Sequence, residues 1–157
     1  MQCYKLVESG LRACDNKDSL LYANLLNTAG IINGCNNKPV EAYKYFERSR
    51  DIRARLLPGT HEQLANVVNN LGNEAVAKCD FEEGLDLYRQ AIAIDDANKA
   101  EKRFHFRHLN VANAYSLQGK FDEARMEIDV GRKNALGDHL DSFIDNRDYD
   151  NMYVSTT

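Results

Sequence analysis

Apolar residues recur along most of the chain at spacings of three and four, the pattern of α-helices with one buried face. The segments LANVVNNLGNEAVA (64–77) and FEEGLDLYRQAIAI (81–94) show it most clearly. No segment alternates convincingly at period two, so no sheet is predicted. We predict seven helices, near residues 2–14, 18–35, 39–57, 61–78, 81–95, 98–118 and 121–135.

Residues typical of helix ends mark several of these boundaries. Pro39 suits the first turn of a helix, where its missing N–H costs nothing. Asp80 followed by Glu83 predicts a capping box at the start of the helix near 81. Thr60 followed by Gln63 predicts a second capping box at the helix near 61.

The predicted helices form pairs that repeat every 40–42 residues. Each pair carries the pattern small–small–aromatic–small, with its first two small residues 12 positions apart. The three copies are Gly30, Ala42, Phe46, Ser49; Gly72, Gly84, Tyr88, Ala91; and Ala112, Ala124, Ile128, Gly131. Small residues let two helices cross closely, because a larger side chain would push the backbones apart. We expect the aromatic residue to fill the gap between one helix pair and the next.

This repeat resembles the tetratricopeptide repeat over roughly residues 18–135. GKFDEA (119–124) is similar to the family's turn and second-helix start. RDIRARLLPGTHEQLANVVNNLG (50–72) resembles the longer repeats of kinesin light chains. The turn NGCNNKPVEA (33–42) and Ile128 depart from the family pattern. The resemblance implies an all-α fold, a right-handed α-solenoid of antiparallel helix pairs with about three repeats plus partial flanking helices.

The repeat register predicts a single domain over residues 1–157. Residues 1–17 would be the second helix of a partial repeat, and 18–58, 59–97 and 98–135 would be repeats. Residues 136–157 would be a capping or truncated repeat. Because solenoid repeats need neighbours or polar end caps, we expect the chain to be part of a larger protein. The alternative is a short protein whose ends act as caps.

The first helix of each pair carries a polar stripe opposite its packing side, and stacked pairs turn that helix to the concave face. Asparagine is a poor helix former, so a row of asparagines within helices needs a reason. In related repeat proteins such asparagines grip a peptide backbone, and the resemblance carries that role to Asn27, Asn69, Asn73 and Asn113. The alternative is amides that are solvated or bridge neighbouring repeats. The predicted peptide-binding residues are Asn24, Asn27, Asn66, Asn69, Asn73, Phe106, Leu109, Asn110 and Asn113.

The segment AEKRFHFRHLN (100–110) concentrates positive charge. Lys102, Arg103 and Arg107 could contact an acidic ligand, or they could form a solvated charged face. His108 is expected on the packing side of its helix. Glu101, His105 and His108 have the helical spacing of metal ligands, but no fourth ligand accompanies them, and we predict no metal.

Charge and composition argue against nucleic-acid binding and membrane insertion. The net charge is −4 and the pI about 5.6, which argues against a general nucleic-acid binder. No apolar run approaches the roughly 20 residues of a membrane span, and no signal peptide is evident, so we expect a cytoplasmic protein. The four cysteines, at 3, 14, 35 and 79, are expected to be reduced and mostly packed. We predict no cofactor.

The sequence therefore predicts a non-catalytic scaffold that binds an extended peptide or a disordered protein tail in its concave groove. One alternative is a structural segment that forms homo-oligomers through exposed terminal helices. Another is the sensor arm of a signalling ATPase or a transcription regulator. No motif for phosphate binding or nucleophilic catalysis supports an enzyme.

Overall fold

The structure is a computed structural model that describes residues 2–98 and 104–136; at positions 2, 104–105 and 134–136 it describes the backbone alone. Two compact units divide the chain, Met1–Ala100 and Glu101–Thr157. Each unit has a buried apolar cluster of its own. The single domain over 1–157 stays a prediction, and the predicted segment 136–157 lies almost wholly outside the described residues.

The described residues form helices and no strand, which confirms the all-α class. The first unit holds α1 (Gln2–Ala13), α2 (Leu20–Cys35), α3 (Pro39–Leu56), α4 (Glu62–Ala77) and α5 (Phe81–Ala97). The second holds α6 (Phe104–Leu117) and α7 (Phe121–Leu136). The bounds agree with the predicted ones within two residues, except at the start of α6. There Asn98 caps the C-terminus of α5 and does not begin the next helix.

The helix starts at Pro39 and Asp80 are confirmed, but the reciprocal half of the Asp80–Glu83 capping box is not, since the Asp80 N–H donates to the carbonyl of Ala75. Pro39 lies in the first turn of α3. The carboxylate of Asp80 accepts a hydrogen bond from the backbone N–H of Glu83 at 3.4 Å. The box at Thr60 is wrong, because His61 caps α4, its Nδ1 accepting from the backbone N–H of Gln63 at 3.1 Å.

Three helix pairs, α2 with α3, α4 with α5 and α6 with α7, pack along their lengths. The turn inside each pair places one residue at positive φ: Asn37 at 56°, Cys79 at 65° and Gly119 at 74°. In each turn the next backbone N–H reaches back to a carbonyl five residues earlier, at 2.9–3.0 Å. The divergent turn of the first copy therefore has the same geometry as the other two.

The glycines of the repeat pattern make room for aromatic rings. A Cβ added at Gly30 would lie 2.6 Å from Cε1 of Phe46, and one added at Gly72 would lie 2.6 Å from Cε1 of Tyr88. The ring therefore packs against the first helix of its own pair. We expected the ring to lie between one pair and the next. That expectation holds in part, since Phe46 also packs in a cluster with Val67 of the next pair.

All twelve residues of the repeat pattern are buried, as their alignment predicts. Ser49 is the one polar member, and its hydroxyl donates to the carbonyl of Ala23 at 2.8 Å. In the third pair an alanine, Ala112, stands where the others have glycine, and Ile128 stands where they have a ring. Both belong to the buried cluster of the second unit.

The cysteines differ from expectation in their exposure. All four are free, as predicted. Cys14 is half-buried, but Cys3, Cys35 and Cys79 are exposed, so the expectation of mostly packed thiols is wrong. Cys79 lies at the positive-φ position of a turn, and Cys35 is the last residue of α2.

Candidate functional site

Two neighbouring first helices of the first unit carry a row of amides, which we call the asparagine stripe. Leu26, Leu71 and the small residues Gly30 and Gly72 turn one side of α2 and α4 into the core, leaving the amides on another side. Some stripe residues are exposed and others half-buried, so none is lost to the interior. The stripe consists of Asn24 and Asn27 on α2, and Asn66, Asn69, Asn70 and Asn73 on α4.

A hydrogen bond joins the two helices within the stripe. Nδ2 of Asn70 donates to Oδ1 of Asn27 at 3.4 Å. This is a long bond, and it uses one end of each amide. The bridging role that was an alternative for these asparagines is therefore present at this pair. It leaves Nδ2 of Asn27 and Oδ1 of Asn70 for other partners.

Asn73 and Asn24 are oriented by side chains of the second helices. The hydroxyl of Tyr88 donates to Oδ1 of Asn73 at 2.8 Å. Nη2 of Arg53 donates to Oδ1 of Asn24 at 2.8 Å. Since both bonds use the carbonyl end of the amide, they direct the NH₂ groups of these asparagines away from the second helices. Asn66 and Asn69 also have partners within the protein.

Arg53 is an interior cation beneath the stripe. It is 4% exposed and also donates to the carbonyl of Ala23 at 3.2 Å and to the hydroxyl of Ser49. Its Nε has no hydrogen-bond partner among the described residues. Burial lowers the pKa of this guanidinium, because the interior solvates the charged form poorly. The three acceptors of Arg53, on Ala23, Ser49 and Asn24, are neutral oxygens, and the one on Asn24 belongs to the stripe.

Glu74 adds a negative charge beside the stripe. Its carboxylate lies against Gly34 of α2, where an added Cβ would be 2.6 Å from Oε1. Burial raises the pKa of Glu74 above its ordinary value, and the positive charge of Lys78 opposes that rise. Burial and the charge of Glu74 together raise the pKa of Tyr88. The Tyr88 hydroxyl thus keeps its proton and remains a donor to Asn73.

A cavity of about 580 Å³ lies at the C-terminal end of α2, beyond the stripe. Ile31 and Cys35 line it from α2, and Cys3 and Tyr4 line it from α1. The sequence interpretation missed these residues. The spacing of the residues could have indicated this cavity. Asn24, Asn27, Ile31 and Cys35 follow one another at three or four residues, which places them on one side of α2. An exposed isoleucine in line with the amides gives this end of the face an apolar character.

The second unit holds the remaining predicted site residues. Phe106 is 64% exposed and Asn113 is exposed, while Asn110 is half-buried and has a partner. Leu109 packs against the cluster of Ala112, Ala124 and Ile128, so part of its side chain serves the core. Its predicted role in peptide binding stays a prediction for the rest of the side chain.

The predicted acidic-ligand contacts are not supported at Arg107. This residue is 4% exposed and has partners inside the protein, so it cannot present a free guanidinium at the surface. Lys102 and Arg103 lie outside the described residues. His108 packs inward as expected, and its Nδ1 lies 2.7 Å from Oε2 of Glu127.

The described residues contain no group of three or more His, Cys, Asp or Glu side chains suited to a metal ion. Glu101 and the side chain of His105, which would complete the helical trio with His108, are not among them. Within the described part of the chain, no helix is long and apolar enough to cross a membrane.

A family comparison decides the identity of the repeat. Residues 21–97 match the family model described as tetratricopeptide repeat. This part of the chain, residues 21–97, carries tetratricopeptide repeats. The match covers α2 to α5, the helices that form the asparagine stripe and its supporting residues. Tetratricopeptide repeats generally mediate protein–protein interaction, and their fold is typically a non-catalytic scaffold. No curated protein sequence matches the chain significantly.

Solved structures of tetratricopeptide repeats have the same fold. The repeat domain of Arabidopsis FLU aligns with a TM-score of 0.63 and 16% identity, over 69% of this chain and 90% of that one. BtubC (BKLC) from P. vanneervenii aligns at 0.76 and 19%, over 92% and 58%. A putative kinesin light chain of Podosopora anserina with nearly identical repeats aligns at 0.74 and 15%, over 92% and 69%. At these identities the likeness concerns the fold alone.

Proposed function

We propose that this protein is a non-catalytic interaction module that holds an extended peptide, or a disordered protein tail, along the asparagine stripe. One observation carries the proposal. Amides lie on the first helices of two neighbouring pairs, and the bond between Asn70 and Asn27 joins them. A cytoplasmic location is part of the proposal.

The chemistry of the stripe suits a peptide backbone. An asparagine amide offers a donor and an acceptor, as a peptide bond does. The carbonyl ends of Asn24 and Asn73 are already engaged, so these residues present donors to backbone carbonyls of the ligand. Each such bond contributes about 0.5–1.5 kcal/mol. A micromolar ligand, at about −8 kcal/mol, therefore needs several of them together with apolar contacts.

The cavity at the end of α2 supplies a place for apolar contact. Ile31 and Tyr4 would pack against an apolar side chain of the peptide while the amides hold its backbone. Peptide-binding surfaces commonly combine backbone hydrogen bonds with a pocket for one side chain, which sets specificity. The proposed ligand is therefore an extended segment with an apolar residue near one end.

A matched pair of variants tests the stripe. Asn73→Ala and Tyr88→Phe each remove the same internal hydrogen bond, but only the first removes an amide from the stripe. A library of unstructured peptides is first selected on the unaltered protein. Titration calorimetry then measures the affinity of the selected peptide for both variants, and circular dichroism checks the melting temperature.

We expect both variants to lose about 0.5–1.5 kcal/mol of stability, because both lose one hydrogen bond. Asn73→Ala combined with Asn69→Ala should weaken the peptide by about tenfold or more. Tyr88→Phe keeps the Asn73 amide and loses only the bond that orients it, so this variant should lose much less peptide affinity than the asparagine variants. If Tyr88→Phe and the asparagine variants lost the same peptide affinity, or if the asparagine variants bound the peptide fully, the peptide would lie elsewhere.

A second candidate function is self-association through α1. Leu6 of this helix is 68% exposed, on a helix that also packs on α2. A second copy could cover it. In that case the stripe would be incidental to the function, and the mass of the protein in solution would depend on its concentration.

A further inference from the structure

Positive charge is concentrated at one end of the first unit, although the chain as a whole is acidic. Residues 1–58 hold nine basic and six acidic side chains, whereas residues 59–98 hold two basic and eight acidic ones. The positive part includes α1, the loop 14–19, α2 and α3. Such an asymmetry favours an anionic partner at that end.

Two cationic side chains contact the same tyrosine in this region. Nζ of Lys17 lies 4.8 Å from the ring centroid of Tyr22 and donates to the carbonyl of Leu11. Nη2 of Arg48 donates to the hydroxyl of the same tyrosine at 3.1 Å, and its guanidinium lies 5.8 Å from the ring centroid. Tyr22 itself is buried. These contacts restrict both cations before any ligand arrives, which lowers the entropy lost on binding.

Three carboxylates nearby are paired with other cations. Glu8 accepts from Arg12 at 3.2 Å, and Asp18 pairs with Arg55. Asp51 accepts from Arg50 at 2.9 Å. No described residue forms an ion pair with Lys17 or Arg48, and the carboxylates that line the same cavities, Glu8 and Asp51, contact other cations.

Two adjoining cavities share these cations. One, of about 320 Å³, lies between α1 and α3, and the other, of about 250 Å³, lies beside the end of α3. Both cavities are lined by Lys17, Tyr22 and Arg48. We call the two cavities together the cationic pocket. Its cations come from the loop 14–19 and α3, so the pocket is distinct from the asparagine stripe on α2 and α4.

We propose that the cationic pocket binds a phosphate monoester. A phosphate monoester carries about −1.5 to −2 charges at pH 7, which matches two cations that contact no carboxylate better than a single carboxylate ligand does. The guanidinium of Arg48 and the ammonium of Lys17 each keep N–H donors beyond those already used. Arginine with phosphate forms short, charge-assisted hydrogen bonds, commonly in pairs. The phosphate can be free or can belong to a phosphorylated protein segment.

The test uses the full chain and three probes at constant ionic strength. The probes are inorganic phosphate, a phosphoserine peptide with neutral flanking residues, and the same peptide without phosphate. Heteronuclear NMR follows the backbone amides of residues 17–22 and the Nε–H group of Arg48, with sodium chloride as the control salt. The variant Lys17→Gln/Arg48→Gln removes the two cations. Lys5→Gln/Lys44→Gln, at exposed positions outside the pocket, changes the net charge equally.

Saturable shifts with phosphate that weaken about tenfold or more in Lys17→Gln/Arg48→Gln, and not in the control, would support the pocket. Tighter binding of the phosphopeptide than of inorganic phosphate would assign the source to a phosphorylated protein; equal affinity would assign it to the free anion. Shifts that do not saturate, that chloride reproduces, or that both variants lose equally would overturn the proposal. Asn73→Ala should leave phosphate binding intact, so this test is independent of the peptide site.

Discussion

Cys79 adopts a backbone conformation that suits glycine. At φ of 65° a residue with a Cβ loses roughly 1–2 kcal/mol relative to the right-handed region. Asn37 and Gly119 occupy the equivalent positions of the other turns, and both residue types tolerate positive φ. Cys79 is the one of the three whose side chain does not suit its turn.

Cys79→Gly should therefore stabilise the protein. Relief of the strained conformation outweighs the extra chain entropy of glycine, for a net gain of about 0.5–1 kcal/mol. Urea denaturation followed by circular dichroism measures the change. Gly119→Ala is the reciprocal variant and should lose about 1 kcal/mol. A neutral result for both would mean that the turns relax without cost.

Glu74 predicts a stability that depends on pH. Because its pKa is raised by burial, the folded state holds this proton more tightly than the unfolded state. The charged Glu74 carboxylate lowers the free energy of unfolding. This destabilisation is absent below the ordinary pKa of 4.5 and increases as the pH rises through the raised value. Glu74→Gln should thus raise the melting temperature at pH 7 and have little effect below pH 4.5.

The control for this prediction is Glu82→Gln, which makes the same change of charge at an exposed position of α5. A gain in melting temperature that is equal for the two variants, or that persists unchanged at low pH, would contradict a role for the burial of Glu74.

Single residues were the hardest features to predict from sequence. Periodicity identifies which face of a helix is buried, but it does not show which side chain closes the first turn, and His61 took the place of Thr60. Likewise no local pattern reveals that Arg53 turns inward, because that depends on Ala23 and Asn24 of another helix. The polarity of the stripe was predictable; the partners of its amides were not.

Helices and their pairing follow from local sequence. Apolar spacing and small residues placed every described helix, since these signals depend on neighbours three or four residues away. The close approach of α2 and α3 depends on Gly30 and Phe46, which fit together as one unit. The cavity beside Ile31 was missed because it requires α1 and α2 together.

Gly30→Ala should destabilise the protein, because its Cβ would meet the Phe46 ring. Overpacking costs about 1–3 kcal/mol, and the helix propensity of alanine offsets up to about 1 kcal/mol of that. Phe46→Ile in the same chain should recover part of the loss, as the third pair has alanine with isoleucine.

A double-mutant cycle measures this coupling. We expect the double variant to be more stable than the sum of the single changes by about 1 kcal/mol, a value typical of residues in contact. Strict additivity would show that the ring moves aside and that the glycine serves another purpose.

Self-association is a question for the whole molecule. If α1 forms an interface, Leu6→Glu should reduce the weight-average mass measured by light scattering at high protein concentration, because it places a charge in the buried contact. Leu117→Glu, at a residue 60% exposed on α6, provides a control with equal change of charge. If the unaltered protein has the mass of a monomer at every concentration, this second function is excluded.

The third helix pair shows what such repeats conserve. Its alanine at 112 and isoleucine at 128 preserve the combined volume of a contact, although neither position keeps the residue type of the other copies. The two sides of this contact can therefore exchange size with each other, one growing as the other shrinks, while the crossing of the two helices is retained.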